Sequence, residues 1–195
     1  MLCQAAFGWR PQLDNPTLLG WSVVAFYGLA ALACARAAVL ARARRSVGAR
    51  GGPGVGGAGM WQALAATLCF LGVNKQLNLQ TLLIALGRHW AAAGGWLGWR
   101  RGVQLAFGLV FGAGLCLLLV WLAATHREFF RRNPRPLQGM LILGVFVALR
   151  AATINHADQF LGFNLKDEHW AWVLEMAGSL LIGIGAAQAC RPAEK

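Results

Sequence analysis

The residues of this chain that could do chemistry lie among apolar neighbours. In "FLGVNKQLNLQTLL", Phe70 to Leu83, one ammonium and four amides interrupt an otherwise aliphatic run. On a helix at ~100° per residue, Thr67, Asn74, Asn78 and Thr81 share one narrow stripe and Lys75 flanks it. Gln76 and Gln80 fall on nearly the opposite face. A helix polar on two faces predicts a central place in a bundle, with Gln76 and Gln80 packing one side. Downstream runs supply partners: Arg150, Thr153, Asn155, His156 and Asp158 in one, Glu175 and Ser179 in the next.

Their depths agree. Lys75 stands 14 residues past Trp61, Arg150 stands 14 past Pro136, and Glu175 stands 16 before Arg191. At ~1.5 Å per residue, all three fall roughly 21–24 Å from one boundary of an apolar layer ~30 Å thick. A lone charge there costs roughly 2.5–3.5 kcal/mol on insertion scales. Two cations and a carboxylate at one level offset most of that cost, and Asp158, about two turns beyond Arg150, would complete a balanced network. The expectation is an outward-facing polar pocket of Asn74, Lys75, Asn78, Arg150, His156, Asp158 and Glu175. There Lys75 and Arg150 would meet an anionic or carbonyl-bearing group, such as a lipid headgroup or a quinone.

Two other readings compete. The same residues suit a purely structural or accessory subunit of a membrane complex, in which buried polar groups lock helix packing. Alternatively, His156, Asp158 and His169, with His89 at the same level, would serve a membrane-embedded metal-dependent hydrolase. No H-x-x-E-H or H-x-x-x-H spacing supports that set, so no metal site is assigned and the cofactor stays unknown. Neither a G-x-S-x-G nor a serine beside a histidine marks a nucleophile. The residues therefore name no reaction.

The elements that must position these groups are helices that cross a membrane. Hydrophobic residues make up 57% of the chain and charged residues only 13%, too apolar for an ordinary soluble domain. Five runs reach the ~20 residues a crossing needs. They lie near residues 18–41, 61–86, 103–125, 137–160 and 170–189, and none alternates as a barrel strand would. The fold expected is all-α, a five-helix transmembrane bundle forming one integral membrane domain. The first run is too long for a signal core and ends in arginines, so it reads as an uncleaved anchor.

Charge sets the orientation. Arg42, Arg44, Arg45 and Arg50 follow the first run, and Arg127, Arg131, Arg132 and Arg135 follow the third. The positive-inside rule places both loops in the cytoplasm, N-terminus out and C-terminus in. Arg88, Arg100 and Arg101 fall outside, against the rule. Trp9, Trp21, Trp90, Trp96, Trp99 and Trp170 mark the outer interface, Trp61 and Trp121 the inner one. Residues 46–59 read as a flexible Gly-rich cytoplasmic loop without the Gly-Lys-Ser/Thr ending of a phosphate cradle.

A net charge of +11 suggests nucleic acid in a soluble protein, but here the arginines flank apolar spans and no recognition motif accompanies them. The partners expected are membrane lipids and a membrane-protein partner or second copy, the latter through Gly108 and Gly112 in span three. Five cysteines without a C-x-x-C pair read as small buried hydrophobes.

The blocks "LGVNKQLNLQTLL", "GWRRGVQ" and "LRAATINHADQFLG" resemble a family of small, uncharacterised proteobacterial inner-membrane proteins. The resemblance runs from about Trp61 to Gly185. That family's blocks read "NKQLDLQ" and "HHxD", and this chain has Asn78 and Asn155 where they have an acid and a first histidine. The resemblance implies location and architecture and carries no activity. His156 and Asp158 also faintly resemble part of the zinc set of alkaline-ceramidase-type membrane hydrolases, which usually have seven spans.

Overall fold

The computed structural model describes residues 18–46, 57–77, 86, 94, 100–154 and 168–191. These residues form helices and no strand: α1 (Leu18–Ser46), α2 (Ala58–Leu77), α3 (Arg100–Thr125), α4 (Arg127–Arg132), α5 (Pro134–Ile154) and α6 (Glu168–Cys190). The all-α class is as the sequence predicts. Two of the helices hold stretches long and apolar enough to cross a membrane, Gly20–Arg44 and Trp170–Cys190, and Gly112–Thr125 is a shorter apolar stretch.

Each buried face follows helical spacing. On α1, Gly20, Val23, Tyr27, Ala30, Cys34, Ala37 and Ala41 are buried at alternating steps of three and four, with Ala31 and Ala38 widening the stripe. Steps of three and four keep a stripe on one face. Its side chains are small, so two neighbours approach α1 closely: α2 on one side and α6 on the other. Outward-facing Leu29, Leu32 and Val39 are 63–68% exposed.

The contacts fix the directions. Tyr27 meets Gly72 at one end of the α1–α2 pair, and Arg42 donates to the Gln62 side-chain oxygen at the other, so α1 and α2 are antiparallel. Against α6 the order is Tyr27 to Glu175, Ala30 to Gly183 and Arg44 to Ala189, which is parallel. Helix α5 runs antiparallel to α6, with Leu143 on Gly178, Gly139 beside Ile182 and Pro136 on Gly185. A Cβ on Gly139 would stand 2.5 Å from the Gly178 carbonyl oxygen, so this crossing needs glycine on backbone grounds. Helix α3 makes its main long-helix contact with α5, Leu119 filling the space beside Gly144.

One end of the molecule therefore collects the end of α1, the start of α2, α4, the start of α5 and the end of α6. Arg44 donates to the carbonyls of Ala189 at 3.1 Å, Arg191 at 3.4 Å and Cys190 at 3.5 Å, serving carbonyls that the last turn of α6 leaves unpaired.

Four details depart from the sequence reading. The segment after span three is not all loop: residues 127–132 form α4, which ends at Asn133, whose amide nitrogen donates to the Phe129 carbonyl. Helix α5 then starts at Pro134, ahead of the expected 137, because proline is tolerated in a first turn whose N–H groups lack helical partners. Helix α1 runs on to Ser46 and α2 begins at Ala58, shortening the segment between them. Lastly, among the described residues α2 does not sit in the middle of the helices. In order of main contact they run α2, α1, α6, α5, α3. The buried stripe of α2 is Trp61, Leu64, Leu68 and Gly72, while Thr67, Phe70 and Val73 are exposed. Of the two polar faces read from sequence, Thr67 is exposed and Asn74 and Gln76 are half-buried, while Asn78, Gln80 and Thr81 lie outside the described residues.

Candidate functional site

Lys75 continues that buried stripe. Steps of three, four, four and three carry it from Trp61 through Leu64, Leu68 and Gly72, so the ammonium stem enters the same seam as the core. Glu175 does the same on α6, where Glu175, Ser179, Ile182 and Ala186 are buried in line. The Lys75 Nζ lies 2.7 Å from Glu175 Oε2, with the side chains 14% and 3% exposed. Helices α2 and α6 thus join through an ion pair at the level where both pack against α1.

Tyr27 of α1 stands at this junction and is itself 1% exposed. Its hydroxyl donates to Glu175 Oε1 at 3.3 Å, so each carboxylate oxygen has its own donor. Gly72 leaves room for the tyrosine; a Cβ there would come within 3.3 Å of the Tyr27 Cβ. Ser179 Oγ donates to the Glu175 backbone carbonyl at 2.8 Å and to that of Met176 at 3.1 Å, which ties the hydroxyl to its own helix. Among the described residues no buried side-chain nitrogen or oxygen lacks a partner. Half-buried Arg150 on α5 acts electrostatically on the same carboxylate.

Two of the residues grouped from sequence are brought together. Lys75 and Glu175 are in contact, Arg150 is within electrostatic reach, and Asn74 is half-buried beside Lys75 in the chain. Asn78, His156 and Asp158 lie outside the described residues, as do His89 and Gln80; Gln76 is half-buried. His169 falls in the first turn of α6. No group of three or more His, Cys, Asp or Glu side chains that could hold a metal ion occurs among the described residues.

Tyr27 is the functional candidate that sequence reasoning missed. The signal existed: it is the only tyrosine in the chain, and it sits inside an apolar run where a phenol needs a hydrogen-bond partner.

The geometry has a clear chemical capacity. A carboxylate held by two donors fixes the ammonium in place. An ammonium carries three N–H donors, and among the described residues Lys75 gives one of them, to Glu175. The others can meet an oxygen that arrives through the partly open side of Lys75. No family model matches the chain, and no curated protein or solved structure matches it either.

Proposed function

We propose that the chain is a multi-pass protein of the bacterial inner membrane whose polar site binds an anionic or carbonyl-bearing lipophilic molecule, of the lipid or quinone kind. The observation that carries this reading is the Lys75–Glu175 pair, 2.7 Å apart in an apolar seam, with the lysine the more open partner. Ionisable groups at such a depth are expensive, and a site is their default explanation. Two membrane-length helices support the placement, as do the outward aliphatics of α1 and α3, where Val110, Leu117 and Val120 are 66–73% exposed. In this reading Lys75 donates to the ligand oxygen, Arg150 adds positive potential, and Glu175 and Tyr27 hold the lysine. Asn74 borders the site.

The test uses full-length protein extracted in mild detergent and examined by native mass spectrometry for retained lipophilic molecules. Wild type is expected to hold one such molecule in stoichiometric amount. The double variant Lys75→Met/Glu175→Met removes both charges together, stays folded and loses it. A wild-type protein that holds nothing, or a double variant that holds the same molecule, would overturn the reading.

A second reading has its own observation. Both Glu175 oxygens are already engaged, as a purely structural latch between helices requires. In that case the protein is an accessory or structural subunit, and the double variant changes assembly with a partner but no bound small molecule.

A further inference from the structure

We propose that the corner formed by α4 and the start of α5 is a seat for the headgroups of anionic phospholipids. The inference rests on the membrane placement above and is independent of the Lys75 site.

The corner is built so that its charges have to face outward. Phe129 packs edge-on against the fully buried Trp61 at 5.0 Å between ring centroids, and Phe130 is buried beside it at 5.1 Å. Gly57 makes the room, since a Cβ there would lie 2.6 Å from the Phe129 ring. With the Phe129 ring against the start of α2 and Phe130 buried, Arg127, Arg131 and Arg132 are left on the exposed side, and Arg135 is exposed on the first turn of α5. Arg42 and Arg44 reach the same end from α1. Among the described residues of this end the only carboxylate is Glu128, already bonded to Arg131 and Arg132 at 3.0 and 2.8 Å. The surface is therefore strongly cationic.

Its border decides what kind of anion it fits. Exposed Trp121 lies about a turn and a half before α4 on α3, and exposed Leu117, Leu118 and Val120 continue away from it. An amphipathic ring between arginines and bare aliphatics matches the headgroup level of a bilayer, with phosphodiesters above and acyl chains below. A nucleic acid would satisfy the arginines and leave the aliphatic border in water. The occupant chemistry is thus a phosphodiester on an acyl-chain lipid, held by clustered guanidinium groups.

The experiment compares retention of phosphatidylglycerol and phosphatidylcholine by the full-length detergent-solubilised protein, titrated lipid by lipid in native mass spectrometry. Wild type is expected to prefer phosphatidylglycerol, and the preference should shrink as salt screens the charges. Neutralising one arginine, Arg127→Gln, is expected to weaken it about fivefold, and Arg127→Gln/Arg131→Gln/Arg135→Gln on the order of a hundredfold, at about one surface charge interaction each. Arg100→Gln/Arg101→Gln, at the opposite end of α3, should leave it unchanged. Equal retention of the two lipids by wild type overturns the proposal, as does a loss of equal size in the Arg100/Arg101 variant. If the triple variant does not fold, the single variant and the salt series decide. Membrane placement is judged separately by alkaline carbonate extraction of the membranes. A chain released by carbonate refutes the placement, whereas an embedded chain without lipid preference refutes only the headgroup seat.

Discussion

Replacing Lys75 by methionine tests whether the ion pair carries structural weight. The substitution keeps the stem and deletes the ammonium, leaving the 3%-exposed Glu175 carboxylate with Tyr27 as its remaining side-chain donor among the described residues. Breaking a buried pair from one side costs about 3–5 kcal/mol, because the surviving charge stays desolvated. The tyrosine bond persists and the site is partly open at Lys75, so the lower end, about 3 kcal/mol, is the expected loss. Glu175→Met should cost less, since the freed lysine has a flexible stem that can carry its head towards a polar boundary. Removing both charges should restore most of the stability, leaving the double variant within ~1 kcal/mol of wild type and a coupling of at least ~2 kcal/mol in the cycle. The assay is reversible unfolding in mixed micelles of detergent and sodium dodecyl sulfate, all four proteins under one protocol. A Lys75→Met protein within ~0.5 kcal/mol of wild type, or a coupling near zero, would refute the reasoning.

Two further outcomes follow from the geometry. Gly139→Ala puts a methyl 2.5 Å from the Gly178 carbonyl oxygen and is expected to destabilise by at least ~2 kcal/mol, while Gly28→Ala, with nothing within 4 Å, should be neutral or gain up to ~1 kcal/mol from helix propensity. Equal unfolding midpoints for the two variants would contradict the close α5–α6 crossing. At the basic end, the hydrogen bond from Arg132, with the charges of Arg131 and Arg132, holds the Glu128 carboxyl below its ordinary value near 4.5. A lowered value means that its contribution is present above that pH and fades as pH falls below it. Carboxyl-carbon NMR of selectively labelled glutamate should show Glu128 titrating below 4.5, and a titration at or above 4.5 would count against the Arg132 contact.

The helices were legible because lipid-like runs and their arginine flanks are properties of composition, and residues 18–41 and 170–189 fall within α1 and α6. The meeting of Lys75 and Glu175 was legible too, since equal rise from a common boundary brings residues of neighbouring helices to one level. What could not be read was which helix stands between them. Periodicity assigns faces within one helix and says nothing of neighbour order, so the two polar faces of span two suggested a central place, while among the described residues the alanine stripe of α1 stands between α2 and α6. For Tyr27 the sequence signals that a partner is needed but not which one, since that partner is 148 residues away in the chain. The short α4 depends on Phe129 finding Trp61, a contact that no local pattern announces.

Tyr27 also gives the molecule a built-in reporter. With one tyrosine and nine tryptophans in the chain, uniform incorporation of fluorotyrosine places a single fluorine nucleus in the protein, within the Glu175 network. Its resonance would sense a ligand oxygen arriving at Lys75, or a change at the carboxylate, against no background signal. Being the only tyrosine in the chain, it is a position from which the Lys75–Glu175 junction can be observed directly.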